Sequence, residues 1–422
     1  MKKNSYIFSL TIIGILYFVF GFITWLNNQL IPFLKTACQL NDTQSYLVTF
    51  AFYISYFVMA LPSAVILKKT GFAKGMSLGL IVMALGCLVF VPAALQRNYA
   101  VFLIGLFVQG TGLALLQTAA NPYVTILGPI ESATQRMCIM GLFNKIAGIV
   151  GIYIFSKALL SNFDIISNNI DMATGDTQIM LLDNLAHKII LPYIIMACGL
   201  AIISFMVYLA KLPDINSTDD EKNWMDENPN LENKNTNSKI PAYLWFGVLA
   251  LFCYEGAEVM AIDTLVPYGK GIGLADSIYT KIGMFSLAAL LIGYVSTIIF
   301  IPKFISQTKA LIYFCLLSLV FVVAALFSKG LISLIFLILL SFSNAVMWGA
   351  IWALAIDKLG KHTSFASALL IMAIVGGALI PLLYGAISDC LNNRQIPYIL
   401  FLPLYAYILW YAIQGHNIGK EK

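Results

Sequence analysis

This sequence is short of charge. Asp, Glu, Lys and Arg make up 11% of its 422 residues, hydrophobic residues make up 60%, and the mean hydropathy is +0.86. Surface-to-volume scaling leaves a soluble domain too few interior positions to hide that much apolar surface, which excludes a water-soluble globule. Histidine is nearly missing: His187, His362 and His416 lie at the ends of apolar runs with no metal-ligand spacing, so no metal is expected. The seven cysteines are scattered, without CxxC pairs or a disulfide framework, and read as packing residues. No GxxxxGK[ST] loop is present, against an ATP-driven pump, and no nucleophile–base pair stands out. The chain is therefore not expected to be an enzyme or to carry a cofactor. The net charge of +5 comes from basic residues in short loops and gives no reason to expect a nucleic-acid partner.

What the sequence has is long apolar runs. Segments of roughly 20 apolar residues, the length that crosses a bilayer core as helix, recur along the whole chain. Twelve such spans are expected, at 5–32, 45–67, 75–95, 100–126, 138–160, 188–210, 241–267, 280–302, 308–328, 330–356, 363–387 and 395–414. Met1-Lys2-Lys3 resembles a signal-peptide start, but the run after it is long and has no small-residue cleavage site, so it reads as the first span. The fold class is an all-α polytopic membrane protein. The one long polar stretch, 212–240, is rich in Asp, Glu, Asn and Lys and cannot bury a core. It reads as a solvated linker between two six-helix bundles, residues 1–211 and 241–422.

One side collects Lys2, Lys3, Lys68, Lys69, Lys74, Arg136, Lys303, Lys309, Lys358, Lys361, Lys420 and Lys422; the other has Lys35, Arg97, Lys270, Lys281, Lys329 and Arg394. The positive-inside rule places the richer side, with both termini and the linker, in the cytoplasm. The halves also echo each other. "GFITWLNNQLIPFLK" (21–35) lies over "GAEVMAIDTLVPYGK" (256–270), pairing Gly21 with Gly256, Pro32 with Pro267 and Lys35 with Lys270; the same offset pairs Lys68 with Lys303 and Lys74 with Lys309. Repeated six-helix halves of this kind are those of a major facilitator transporter.

Polar groups inside the spans are the functional candidates, because an unsatisfied amide in hydrocarbon is unfavourable by several kcal/mol and a charge by more. The first span offers Trp25, Asn27, Asn28 and Gln29; the fourth offers Gln117 and Asn121, four apart on one helix face; the fifth offers Asn144 and Lys145. The seventh carries Glu255 and Glu258, with Asp263 further on near the outer mouth. Trp348 and Trp352 share a face of the tenth. Amides suit neutral polyols, since each offers donors and an acceptor to a hydroxyl, and a tryptophan can stack on a sugar ring. Each has a plainer reading too: amides as glue between helices, Asn121 as a partner for backbone freed by Pro122, the tryptophans as packing, Asp263 as a solvated carboxylate. Lys145 reads as a counter-ion for a glutamate or as a snorkelling chain.

At these residues the chain resembles a known family. "WLNNQLIPFLK", "LLQTAANPYVTILGP", "FNKIAG" and "AIWALAIDKLGKHTSFASALLIMAIVGGALIPLLYG" resemble the fucose–galactose–glucose:proton symporter family of the major facilitator superfamily, nearest its bacterial glucose/galactose branch. The resemblance implies twelve helices in two bundles around a sugar cavity that works by alternating access. In the fucose-permease branch carboxylates stand at the positions of Asn28 and Gln117, so the resemblance does not carry that proton site here. Taken together, the candidates for substrate contact are Trp25, Asn27, Asn28, Gln117, Asn121, Asn144, Glu258, Trp348 and Trp352, and those for ion coupling are Glu258, Glu255, Asp263 and Lys145. The expected function is import of glucose or galactose with a proton or sodium ion, by a monomer in the lipid of a bacterial inner membrane. N-acetylglucosamine and fucose remain open as substrates, and a non-transporting sugar sensor is the reading from another class.

Overall fold

In hydrocarbon, backbone N–H and C=O groups find partners only inside the chain, and an apolar run long enough to cross closes on itself as helix. The computed structural model describes residues 3–40, 44, 47–159, 163–210, 240–274, 282–359 and 362–420, and among them there is helix and no strand. Of the expected linker, residues 212–239 lie outside the described ones.

Helix α1 (Lys3–Ala37) is followed by α2 (Leu47–Leu95), whose 49 residues are two spans joined at Gly71. Gly71 has φ 77°, a left-handed conformation open to glycine at little steric penalty, and it turns the chain between the two limbs. Then come α3 (Tyr99–Ile126), α4 (Ala133–Leu159), two short helices α5 (Phe163–Met172) and α6 (Asp176–His187), and α7 (Ile190–Leu209). The segment between the fifth and sixth expected spans thus carries two short helices.

Past the linker the chain continues with α8 (Ala242–Asp263), α9 (Leu265–Gly271), α10 (Ile282–Phe300) and α11 (Gln307–Phe327). Next are α12 (Gly330–Asn344), α13 (Met347–Ile356), α14 (Thr363–Met372), α15 (Gly376–Leu391) and α16 (Phe401–Ile413). Pro267 has no N–H to offer the carbonyl one turn back, and the seventh span is interrupted just there, at Thr264. The Thr264 hydroxyl donates to Met260 O (2.6 Å) and meets the Tyr398 hydroxyl at 2.9 Å. The tenth span has a similar interruption at Ala345 and Val346, between α12 and α13.

Ten helical stretches among the described residues are long and apolar enough to cross a bilayer. One of them, Phe50–Leu95, has 46 residues, enough for two crossings, and α4 with its 27 residues adds another. This all-α polytopic architecture accommodates twelve transmembrane helices.

Packing groups the chain into two compact units. The first contains Met1–Ala120 and Phe143–Asp214; the second contains Asn121–Leu142 and Ile215–Lys422. The end of α3 and the start of α4 therefore pack with the second unit. Arg136 fastens that turn: its Nε donates to Val124 O (2.8 Å), Nη2 to Thr125 O (2.6 Å) and Gly128 O (3.1 Å), and Nη1 to Pro129 O (3.0 Å) and Ser132 Oγ (2.6 Å). Val124 O and Thr125 O are among the carbonyls left over where α3 ends, and a buried guanidinium supplies the missing donors. Beside it, Thr134 Oγ1 donates to Gln307 Oε1 (2.9 Å) and Gln135 Nε2 to Ile298 O (2.7 Å).

Candidate functional site

In the first unit the polar groups gather where α1 crosses α4. A Cβ on Gly21 would lie 1.9 Å from Asn144 O, and one on Gly148 would lie 2.4 Å from Trp25 Cδ1. Only hydrogen fits at these two positions, and that is what lets α4 lie directly on α1 and on the indole of Trp25. One turn before Gly148, Lys145 sets its Nζ 4.9 Å from the centroid of the Trp25 ring, a cation–π contact. Lys145 is twelve residues from the start of α4 and fourteen from its end. At 1.5 Å per residue it sits about 18 Å from the nearer end, near the middle of the helix. Asn144 Nδ2 reaches Tyr17 O at 3.5 Å, a long contact. On α3, Gln117 Nε2 donates to the buried Tyr56 hydroxyl at 3.1 Å, and the Tyr56 ring meets Phe52 edge-on. Asn27, Asn28 and Gln29 lie on α1 just after Trp25; their side chains are outside the described residues.

The second unit arranges its groups differently. Glu258 is 7% exposed on α8, and the hydroxyl of Tyr254, one turn earlier, donates to its Oε2. The Tyr254 ring lies 6.2 Å from that of Trp348 on α13, which stacks on Trp352 at 5.5 Å with a 29° interplanar angle. Trp348 keeps part of its surface open, whereas Trp352 is fully buried. Tyr405 on α16 donates to Asn344 Oδ1 at 2.8 Å and lies within electrostatic reach of Glu258. Glu255 is half-buried on the same helix, and Asp263 is exposed at its end.

Gln117 and Asn121 are one turn apart on α3, yet the boundary between the units passes between them. Asn121 is 1% exposed, and its backbone carbonyl accepts from Thr125 Oγ1 at 3.1 Å. The structure thus brings Trp25, Lys145 and Asn144 together in one unit, and Glu258, Trp348 and Trp352 in the other. The tyrosines that hold these groups, Tyr56 and Tyr254, were not among the sequence candidates. For Tyr254 a signal was available: a tyrosine four residues before a mid-span glutamate shares its helix face. Among the described residues no group of His, Cys, Asp and Glu is placed to hold a metal ion.

Comparison with known proteins agrees with this architecture. The family model of the Major Facilitator Superfamily matches residues 13–381. The chain is 32% identical over 420 residues to the glucose/galactose transporter of Brucella abortus, covering 98% of this chain and 95% of that one. It is 28% identical over 417 residues to the L-fucose-proton symporter of Escherichia coli, covering 96% and 93%. A crystal structure of the E. coli fucose:proton symporter FucP superposes with a TM-score of 0.83 at 26% identity, over 97% of this chain and 98% of that one.

Proposed function

We propose that this chain, which belongs to the major facilitator superfamily, imports a hexose, glucose or galactose, together with a proton by alternating access. The observation that carries the reading is Glu258, a carboxylate buried in an apolar span beside an aromatic pair. A carboxylate in that setting is unfavourable for the fold unless it binds or carries something. Full-length similarity to a glucose/galactose transporter and to a fucose–proton symporter supports both the sugar and the proton.

Two six-helix halves, residues 1–211 and 241–422, alternate access to the site. Trp25, Asn27, Asn28, Gln117, Asn121 and Asn144 contribute an indole and neutral amides, each amide able to donate to and accept from a sugar hydroxyl. Trp348, backed by Trp352, offers an aromatic face for the apolar side of the sugar ring. Glu258 takes up a proton from water on one side of the membrane and returns it to water on the other, while Lys145, Glu255 and Asp263 set the charge around the pathway. The protein resides in a bacterial inner membrane with both termini in the cytoplasm, as the Lys and Arg distribution supports.

The test is uptake into proteoliposomes with pH and sodium gradients imposed separately, over glucose, galactose, fucose and N-acetylglucosamine. Glucose or galactose entry driven by the pH gradient is the expected result. Entry that follows sodium alone would replace the coupling ion, and preference for N-acetylglucosamine or fucose would replace the sugar.

A further inference from the structure

We infer that Tyr254 is the positioning residue through which sugar on Trp348 is sensed by the proton site at Glu258. The inference rests on the transport reading above and adds to it the element that joins its two binding events.

The geometry leads there in three steps. Tyr254 is fully enclosed, so both ends of its side chain are committed to neighbours. Its hydroxyl is spent on Glu258 Oε2, and its ring lies against Trp348, 6.2 Å between centroids at an interplanar angle of 50°. Trp348 is in turn fixed from behind by the buried Trp352 and open on part of its own surface. One rigid phenol therefore spans from an aromatic face accessible to ligand to a buried carboxylate. Packed interiors pass on displacement because they have little free volume to absorb it. A sugar ring stacked on Trp348 reorients the indole, the indole moves the phenol, and the phenol's hydroxyl changes its hold on Glu258.

The proton balance is simple. Glu258 gains a proton from water, forming the O–H of a carboxylic acid, and later returns it to water on the other side. Tyr254 keeps its own proton throughout, donating to the carboxylate when Glu258 is ionised and to the carbonyl oxygen when it is not. Other titratable groups stand nearby: Glu255 on the same helix, and Tyr405 on α16, which is engaged with Asn344. Tyr254 is the group whose ring lies against the partly exposed Trp348 while its hydroxyl holds Glu258.

The experiment measures protons taken up per sugar transported, with a pH dye inside proteoliposomes and labelled sugar in parallel. Tyr254→Phe keeps the ring against Trp348 and removes the hydroxyl. The expected result is a proton-to-sugar ratio at least threefold below wild type, with sugar counterflow reduced by a smaller factor and thermal melting in detergent close to wild type. Trp348→Phe, which alters the sensing face without touching Glu258, is expected to lower the same ratio and carries the test if Tyr254→Phe does not reconstitute. A wild-type ratio in either variant overturns the inference and leaves the transport reading standing. Absence of sugar counterflow in the wild-type protein overturns both.

Discussion

The two units answer the problem of polar groups in lipid in opposite ways. The transmembrane helices of the first, α1, α2, α3, α4 and α7, contain no Asp or Glu; their mid-span charge is Lys145, seated on Trp25. The second places a carboxylate, Glu258, under a tyrosine hydroxyl and beside two tryptophans. An amide offers the same hydrogen bonds at every pH, whereas a carboxylate changes its charge with its proton. Under the function proposed above, the contrast corresponds to two tasks: fixed recognition of hydroxyls in the first unit, and exchange of an ion in the second.

The strongest way to break that contrast is Glu258→Gln, which makes the second unit as untitratable as the first. Steady-state accumulation of labelled sugar in an imposed pH gradient is expected to fall about tenfold or more, to simple equilibration, while exchange of internal for external sugar continues, because the amide still donates and accepts. An accumulation ratio equal to wild type would remove Glu258 from coupling.

Trp25→Ala probes the other side of the comparison. It removes the ring that carries Lys145 and packs on Gly148. Half-saturation for sugar is expected to rise about tenfold, the change that roughly 1.4 kcal/mol of lost binding gives. The number of protons moved per sugar should stay as it was. A drop in that number would show that the first unit also takes part in coupling.

Gln117→Leu is a smaller perturbation of the same kind. It deletes the donor to Tyr56, and the half-saturation constant should rise about fivefold, in line with the roughly 1 kcal/mol of a typical hydrogen bond. Tyr56→Phe, measured beside it, should account for part of that rise.

The smallest effect concerns the end of the second unit, away from both sites. His416 lies just beyond α16, its Nδ1 3.1 Å from Tyr411 O, and burial holds its ring below the ordinary value of 6.5. The segment that contains it continues to Lys420, whose Nζ is 2.9 Å from Asp357 Oδ2 and lies over the Tyr243 ring. A histidine whose proton affinity is lowered by folding stays neutral in the packed state. The released tail takes up a proton more readily, so docking is strongest above about pH 6.5 and weakens as pH falls below it. Protection of the amides at residues 415–420, taken relative to the intrinsic exchange rate at each pH, should therefore fall between pH 7 and pH 5.5, and in His416→Gln that fall should be lost.

Much of this organisation is legible in the sequence, for physical reasons. Apolar length announces each crossing, because lipid tolerates no unpaired backbone, and α8 and α16 lie close to the spans expected for them. Glu258 stands out for the same reason, as a carboxylate where hydrocarbon is the rule. The contact of Lys145 with Trp25 was not legible. It joins residues 120 positions apart, and it depends on two glycines, Gly21 and Gly148, whose role appears only once α1 and α4 touch. Nor did sequence show that 121–142 packs with the second unit. One apolar helix face resembles another in lipid, and the selecting contacts are a few polar ones, Thr134 onto Gln307 and Gln135 onto Ile298. The interruption at Thr264 is half visible in the sequence, since Pro267 lacks the N–H that an unbroken helix needs.

The most direct test of the account is the proton movement that accompanies sugar entry. Sugar added to unbuffered proteoliposomes, with no gradient imposed, should make the outside alkaline as glucose or galactose enters with wild-type protein. With Glu258→Gln that alkalinisation should vanish while counterflow of the same sugar persists. Alkalinisation of equal size in both proteins, scaled to sugar transported, would contradict the assignment of the coupling proton to Glu258.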